Sequence, residues 1–215
     1  MTVADLQELL AREAEESYRQ FAASLIPGET KLLGVRLPTL RRLAKQAAKG
    51  EWRTTFAELK GHPCMELVML RGMLPGYANS SRDERLQAIE EFVPDIRNWS
   101  ICDSCCATYH FVREQRYEIL PFLHSYLASP HEYEARFGVV MLLMHYMKAP
   151  EWISTIAALL PTVTAEGFYA RMAVAWCTSE LYFSNPQAGE QVLKQLSSAT
   201  QRLAEKKIRE SRKRV

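Results

Sequence analysis

The stretch PTLRRLAKQAAK, residues 38–49, decides the fold class of this chain. Its apolar residues Leu40, Leu43, Ala44 and Ala47 recur at the i, i+3, i+4 and i+7 positions, which lie on one face of an α-helix. The stretch begins with a proline, a residue that suits the first turn of a helix and not its interior. These residues are therefore predicted to form an amphipathic helix that begins at its proline.

The same pattern continues along the chain in both directions. Prolines separate the apolar-periodic segments, and the sequence contains neither sustained apolar–polar alternation nor the Asn-Gly and Asp-Gly pairs typical of hairpins. About 10–12 helices are predicted. They lie near residues 3–24, 38–49, 51–60, 64–75, 81–93, 98–111, 113–128, 131–147, 151–160, 166–184, 186–199 and 201–212. The chain is therefore predicted to be all-α.

Short connections between these helices indicate helix–turn–helix units of roughly 35–45 residues, a length typical of HEAT and armadillo repeats. The predicted fold is a right-handed α-solenoid of HEAT/ARM-like helix pairs, with a globular helical bundle as the alternative. The sequence shows no linker and no low-complexity segment apart from its basic end. We therefore predict one helical-repeat domain over residues 1–215, in which the basic segment 206–215 is a tail that can fray.

The composition excludes several classes of protein. Hydrophobic residues make up 47% of the chain, a fraction too high for a disordered segment. No uncharged apolar run approaches the roughly 18 residues that cross a bilayer, and the acidic N-terminus lacks the apolar core of a signal peptide. Five cysteines, an odd number, argue against a disulfide framework. We expect a cytoplasmic protein with no membrane association.

Basic residues are concentrated at two places, although the net charge is only +2. The two clusters are Arg36, Arg41, Arg42, Lys45 and Lys49, and Lys206, Lys207, Arg209, Arg212, Lys213 and Arg214. Such clusters are compatible with a localised contact to a polyanion. The alternative is a solvated helix face and a frayed tail.

The segment NWSICDSCC, residues 98–106, holds the first candidate site. Asn98 is a typical N-cap residue, so a helix is predicted to begin beside it. Trp99 and Asp103 are then one turn apart on the same helix face. An indole offers a π-face to a cation or a base, and a carboxylate supplies a fixed negative charge. This pair suits a pocket for an aromatic or cationic ligand; the alternative is a half-buried tryptophan beside a solvent-facing aspartate.

Two later segments contribute further candidates. Arg136 heads the apolar run FGVVMLLM, residues 137–144, where an arginine could snorkel, cap a neighbouring helix or bind a phosphate. Trp176 lies in the middle of a predicted helix between small residues. Spacing alone favours a core position for this indole over a position in a groove.

A metal or thiol site is the competing chemical interpretation. Cys102, Cys106 and His110 recur every four residues on one predicted helix face. No second ligand pair with suitable spacing accompanies them, and buried free cysteines are ordinary small hydrophobic residues. The sequence also lacks a Gly-rich phosphate loop, a G-x-S-x-G motif and an H-E-x-x-H motif. We predict no metal and no cofactor.

Five segments, in their order and spacing, resemble the AlkD-like DNA alkylation repair family of HEAT-like-repeat DNA glycosylases. The resemblance covers most of the chain, and no single motif carries it. The segments are GVRLPTLRRLAK (34–45), NWSICD (98–103), ARF (135–137) with the apolar run after it, MAVAWCTSELY (172–182) and KIRES (207–211).

The resemblance implies hydrolysis of the N-glycosidic bond of purines alkylated at N3 or N7 in double-stranded DNA. Asp103 would be catalytic, stabilising an oxocarbenium-like sugar and orienting a water. Trp99 and Trp176 would contact the deoxyribose and the cationic base, and Arg136 would hold a backbone phosphate. Members of the family do not need to swing the base into a tight pocket.

Two functions from other classes stay open. One is a non-catalytic helical-repeat protein that binds distorted or branched DNA, and the other is a protein-binding scaffold. A monomer is the default expectation for this architecture.

Overall fold

The computed structural model describes residues 1–212, a range that contains thirteen α-helices. Their bounds are α1 Val3–Glu13, α2 Glu16–Leu25, α3 Leu37–Ala47, α4 Trp52–Glu58, α5 Met65–Tyr77, α6 Arg82–Phe92, α7 Trp99–Cys106, α8 Arg116–Leu127, α9 Glu132–His145, α10 Ile153–Leu159, α11 Phe168–Ser184, α12 Pro186–Gln195 and α13 Ser198–Glu210. Short 3-10 helices lie at Val93–Asp95, His110–Glu114, Pro150–Trp152 and Leu160–Thr162. No β-strand occurs within residues 1–212, which confirms the predicted all-α class.

The predicted first helix, 3–24, is in fact two helices, so that prediction was wrong. Ala14 is extended, with φ −72° and ψ 133°, and the backbone N–H of Glu15 donates to the carbonyl oxygen of Gly34 at 3.1 Å. The Glu15 carboxylate also accepts from Nε and Nη2 of Arg36, at 2.8 and 2.9 Å. These contacts with the segment before α3 break the helix after Glu13.

The prolines mark helix beginnings better than helix ends. Pro38 lies in the first turn of α3, and α12 begins at Pro186, as predicted. Pro75, by contrast, lies inside α5, which continues to Tyr77. The predicted helix over 98–111 ends at Cys106 and is followed by a separate 3-10 helix.

The chain divides into two compact units, of which the first is Met1–Phe111. Its central helix is α5, in which every residue from Met65 to Pro75 is buried. Both α3 and α7 pack against α5, as do α1, α4 and α6. The three alternate helices α3, α5 and α7 therefore form one layer of this unit.

A buried arginine holds the first unit together. The Arg71 side chain is fully buried in α5. Its Nη1 donates to Asp95 at 2.7 Å, its Nη2 to Glu91 at 2.8 Å, and its Nε to the carbonyl oxygen of Phe56 at 3.0 Å. Because a buried charge is costly unless it is paired, this network fixes α5 to α4 and to the end of α6.

The second unit, Val112–Val215, has the same alternation. Helix α11 packs against α9 and α13, while α8 packs on α9, and α12 packs on α10 and α11. Alternate helices thus form two layers, as in stacked helix pairs. The right-handed solenoid and the single domain over 1–215 stay predictions.

The basic end begins within a helix. Lys206, Lys207 and Arg209 belong to α13, which agrees with the helix predicted near 201–212, and the fraying of segment 206–215 stays a prediction. Lys213 and Arg214 lie outside the described residues. Within residues 1–212, no helix combines the length and apolarity needed to cross a membrane.

Candidate nucleic-acid interface

Helix α7 presents one narrow stripe at the protein surface. Trp99, Asp103 and Ala107, at its start, middle and C-cap, are partly exposed. Of the other positions on the helix, Ser100 is also partly exposed, whereas the rest are buried: Ile101, Cys102, Ser104, Cys105 and Cys106. A spacing of four residues places the tryptophan and the aspartate one turn apart on the same face, as predicted. Asn98 is the N-cap, and its Oδ1 accepts from the backbone N–H of Ile101 at 3.0 Å.

The Trp99 indole has a fixed orientation. Its Nε1–H donates to the carbonyl oxygen of Leu25 at 3.2 Å. The ring forms part of the wall of a largely apolar cavity of 210 Å³ between α2, α3, α5 and α7, with Tyr18, Leu40 and Met69 among its other lining residues. The half-buried tryptophan is therefore held by the C-terminal end of α2 rather than packed in the core.

A basic stripe runs along α3, in the same layer as α7, and ends just past it, because Lys49 lies two residues after Ala47, the last residue of the helix. Arg41, Lys45 and Lys49 follow one another at four-residue intervals, and within the described residues none of them makes an ion pair. Lys45 only lies over the Tyr77 ring, at 5.3 Å from its centroid. Most other cations of the first unit are paired with carboxylates, namely Arg12, Arg19, Arg36, Arg42, Arg53, Lys60, Arg71, Arg82 and Arg97.

This pairing refines the predicted basic cluster. Arg36 binds Glu15 and Arg42 binds Glu13, so their charges are largely neutralised within the protein. Arg41 and Lys45 lie about 6 Å apart along α3, at a rise of 1.5 Å per residue, and Lys49 follows in the turn after the helix; none of the three is paired within residues 1–212. They are available to an external polyanion such as a DNA backbone, which carries about one negative charge per 1.7 Å of duplex.

Arg136, on α9 in the second unit, is not a surface cation. Its residue is 4% exposed, and its Nη1 donates to the carbonyl oxygen of Tyr169, in the first turn of α11, at 2.8 Å. In this position the guanidinium fixes α9 to α11. Its contact with a DNA phosphate stays a prediction, and burial does not favour it.

Trp176 belongs to the surface stripe of α11. This helix is buried on most sides, but Tyr169, Met172, Trp176, Glu180 and Phe183 are partly exposed at intervals of three and four residues. The stripe begins next to an aromatic pair, because the Tyr133 and Tyr169 rings stack with centroids 5.9 Å apart. The half-buried indole therefore does not occupy the core position that spacing alone favoured.

The four predicted site residues thus occur as two pairs, one in each unit. Trp99 and Asp103 share a stripe of α7, whereas Arg136 and Trp176 lie on the adjacent helices α9 and α11. Their convergence on one concave face stays a prediction.

The cysteine cluster does not have the features of a reactive site. Cys102, Cys105 and Cys106 are buried, whereas His110 is exposed. Burial raises the pKa of the Cys105 and Cys106 thiols well above the usual value, so both are protonated at neutral pH. Within the described residues no group of three or more His, Cys, Asp or Glu side chains is placed to hold a metal.

Sequence reasoning missed the groups that hold the start of α7. These are the Leu25 carbonyl and the Glu29 carboxylate, which accepts from Arg97 and Asn98. Glu29 and Asn98 are separated by 69 residues, so no periodic pattern connects them. The Pro27-Gly28 pair before Glu29 indicates a turn, but not what the turn contacts.

One protein family matches nearly the whole chain. The model of the family described as DNA alkylation repair enzyme matches residues 4–215. No curated protein matches the chain.

Proposed function

The chain belongs to the DNA alkylation repair enzyme family, and on that premise we propose that it is a DNA glycosylase for alkylated purines. Its substrates would be purines alkylated at N3 or N7 in duplex DNA, as the resemblance to the AlkD-like glycosylases implies. Membership of this family by itself supports a role in DNA repair.

The proposed reaction requires little acid catalysis. Alkylation at N3 or N7 leaves the purine positively charged, so cleavage of the C1′–N9 bond returns the electron pair to the base and releases it neutral. The sugar becomes oxocarbenium-like, and a water adds to C1′ and loses a proton. An anion that stabilises the sugar and orients the water supplies the main catalytic effect.

The observation that carries the proposal is the surface stripe of α7. Asp103 is a half-buried carboxylate placed one turn from a tryptophan whose orientation is fixed. Partial burial strengthens the attraction of a carboxylate for a developing cation, and the Trp99 π-face favours a cationic base beside it. Asp103 would therefore stabilise the sugar and accept the proton from water, while Trp99 holds the lesion.

The other candidates have supporting roles in this proposal. The α3 stripe of Arg41, Lys45 and Lys49 would contact backbone phosphates, which position a duplex without reading its sequence. Trp176 would provide a second aromatic surface, and Arg136 would position the start of α11.

The test is excision of 7-methylguanine from a duplex oligonucleotide with the protein in excess over DNA. The wild type is expected to release the base, and Asp103→Asn is expected to slow release by about 100-fold or more. Asp83→Asn is the matched control, because Asp83 is a 79% exposed carboxylate on α6 and its substitution should leave the rate unchanged. Release by Asp103→Asn at the wild-type rate would refute the assigned role.

A second candidate function is DNA binding without excision, and the α3 stripe is the observation that favours it. Unpaired cations at a surface bind a polyanion whether or not chemistry follows. In this case the protein would shift duplex or branched DNA in a gel with an affinity that falls steeply with salt, while no base is released. An absence of salt-dependent DNA binding would favour the protein-binding scaffold instead.

A further inference from the structure

A tight turn just after α2 presents a buried carboxylate to the start of α7. The backbone N–H of Glu29 donates to the carbonyl oxygen of Ile26 at 3.2 Å. Pro27 and Gly28 occupy the two central positions, and Gly28 has φ +91°, the arrangement typical of a type II turn. The Glu29 side chain is only 7% exposed.

Glu29 contacts two consecutive residues that precede α7. Its Oε2 accepts from Nδ2 of Asn98 at 3.0 Å and from Nε of Arg97 at 3.0 Å. Arg97 also donates through Nη2 to the carbonyl oxygen of Pro63 at 2.9 Å. The carboxylate therefore makes a charge-assisted hydrogen bond with Arg97 and also holds Asn98, the N-cap residue of α7.

These contacts decide how the Asn98 amide is oriented. A carboxylate can only accept hydrogen bonds, so Asn98 must direct its NH₂ group toward Glu29. Its oxygen is then directed at the backbone N–H of Ile101, where it caps the helix. Without Glu29, only the backbone N–H of Ile101 and a weak contact of Nδ2 with the Met65 sulfur, at 3.6 Å, would orient the amide.

The same segment also holds Trp99. The carbonyl oxygen of Leu25 accepts the indole N–H at 3.2 Å, four residues before Glu29. Segment 25–29 thus contacts the beginning of α7 at two points, one on the N-cap and one on the tryptophan. Both contacts therefore oppose a rotation of α7 that would displace Asp103.

We infer that Glu29 is a positioning residue for the site on α7, fixing Trp99 and Asp103 through Asn98. The inference rests on the proposed function for its catalytic consequence. Glu29 does not touch the reacting atoms; it acts by holding the helix that carries them.

The test combines a conformational measurement with an activity measurement. The protein is labelled with 5-fluorotryptophan, so that its four tryptophans give fluorine NMR signals, and Trp99→Phe assigns one of them. The variants are Glu29→Ala and the conservative Glu29→Gln. The matched control is Glu84→Ala, which removes the partner of Arg53 elsewhere in the first unit.

Glu29→Ala is expected to shift or broaden the Trp99 signal and to slow excision by about tenfold to a hundredfold, as small misplacements of a catalytic group do. Glu29→Gln should give a smaller effect on both, because its amide oxygen can still accept from Asn98. Glu84→Ala should change neither. If Glu29 contributed only to stability, its loss would lower the melting temperature, but excision would not slow more in Glu29→Ala than in Glu29→Gln.

The outcomes separate the two proposals. An unchanged Trp99 signal in Glu29→Ala overturns the positioning role at once, whatever the activity. A shifted signal with a wild-type excision rate overturns the catalytic consequence of the positioning. If the wild type excises no base, the glycosylase proposal fails, and the Trp99 signal still decides whether Glu29 holds the start of α7.

Discussion

The basic stripe on α3 makes a quantitative prediction about DNA binding. Replacing Arg41, Lys45 and Lys49 together by Gln removes three cations that make no ion pair within residues 1–212. Gln has a helix propensity close to that of Lys and Arg, so α3 should keep its structure. The triple substitution should therefore change the contact with DNA phosphates and not the structure of the helix.

The magnitude follows from counterion release. Each phosphate contact contributes about 0.9 to the slope of log affinity against log salt, so three contacts contribute about 2.7. Between about 50 and 200 mM salt, that slope corresponds to about 40-fold in affinity. Over this range the affinity of the wild type should therefore fall about 40-fold more than that of the triple variant.

The assay is fluorescence anisotropy with an undamaged duplex at several salt concentrations. The control is the triple variant Arg12→Gln, Arg19→Gln and Arg42→Gln, in which each arginine is already paired with a glutamate. The control should leave the slope nearly unchanged. Equal slopes for the wild type and the α3 variant, or an equal loss of slope in the control, would show that these three cations are not the phosphate contacts.

Three further predictions concern stability. Arg71→Met should lower the free energy of unfolding by about 1–3 kcal/mol, because it leaves the Phe56 carbonyl oxygen and the half-buried Asp95 carboxylate without their donor, and a urea titration measures this. Gly34→Ala should lower the free energy of unfolding by more than about 1 kcal/mol, because φ is +86° and a Cβ would lie 2.6 Å from the Glu15 carbonyl oxygen. Gly61→Ala is the comparison, because φ is +66° but no atom lies within 4 Å of the added Cβ. It should therefore lower the melting temperature less than Gly34→Ala does. Hydrogen bonds from Arg36 lower the pKa of Glu15, so this pair stabilises above the unfolded-state pKa and ceases to do so as pH falls through the folded-state pKa. Arg36→Gln should raise that pKa in an NMR titration, and an unchanged value would contradict the assignment.

Local periodicity was sufficient to predict the helices, because the signal is carried by neighbouring residues. Leu40, Leu43, Ala44 and Ala47 are all buried on one face of α3, as their spacing predicts. The break after Glu13 could not be predicted, because its cause is the Gly34 carbonyl oxygen, which lies far along the chain from Glu15. Whether a helix forms depends on neighbouring residues, whereas the position where α1 ends depends on a contact with a distant part of the chain.

The same distinction applies to the candidate site. The N-cap role of Asn98 and the shared face of Trp99 and Asp103 follow from positions within one helix, and both are confirmed. The burial of Arg136 could not be read from its neighbours, because the acceptor is the Tyr169 carbonyl oxygen on another helix. Nor does the basic cluster in the sequence reveal which of its cations are already paired.

In the proposed reaction, water replaces an alkylated base at C1′ with the help of Asp103. The most direct measurement counts free 7-methylguanine and abasic sites in the same reaction, with the protein in excess over DNA. We expect one abasic site for each base released by the wild type, and almost no release with Asp103→Asn. Base release without a matching number of abasic sites, or undiminished release by Asp103→Asn, would contradict this mechanism.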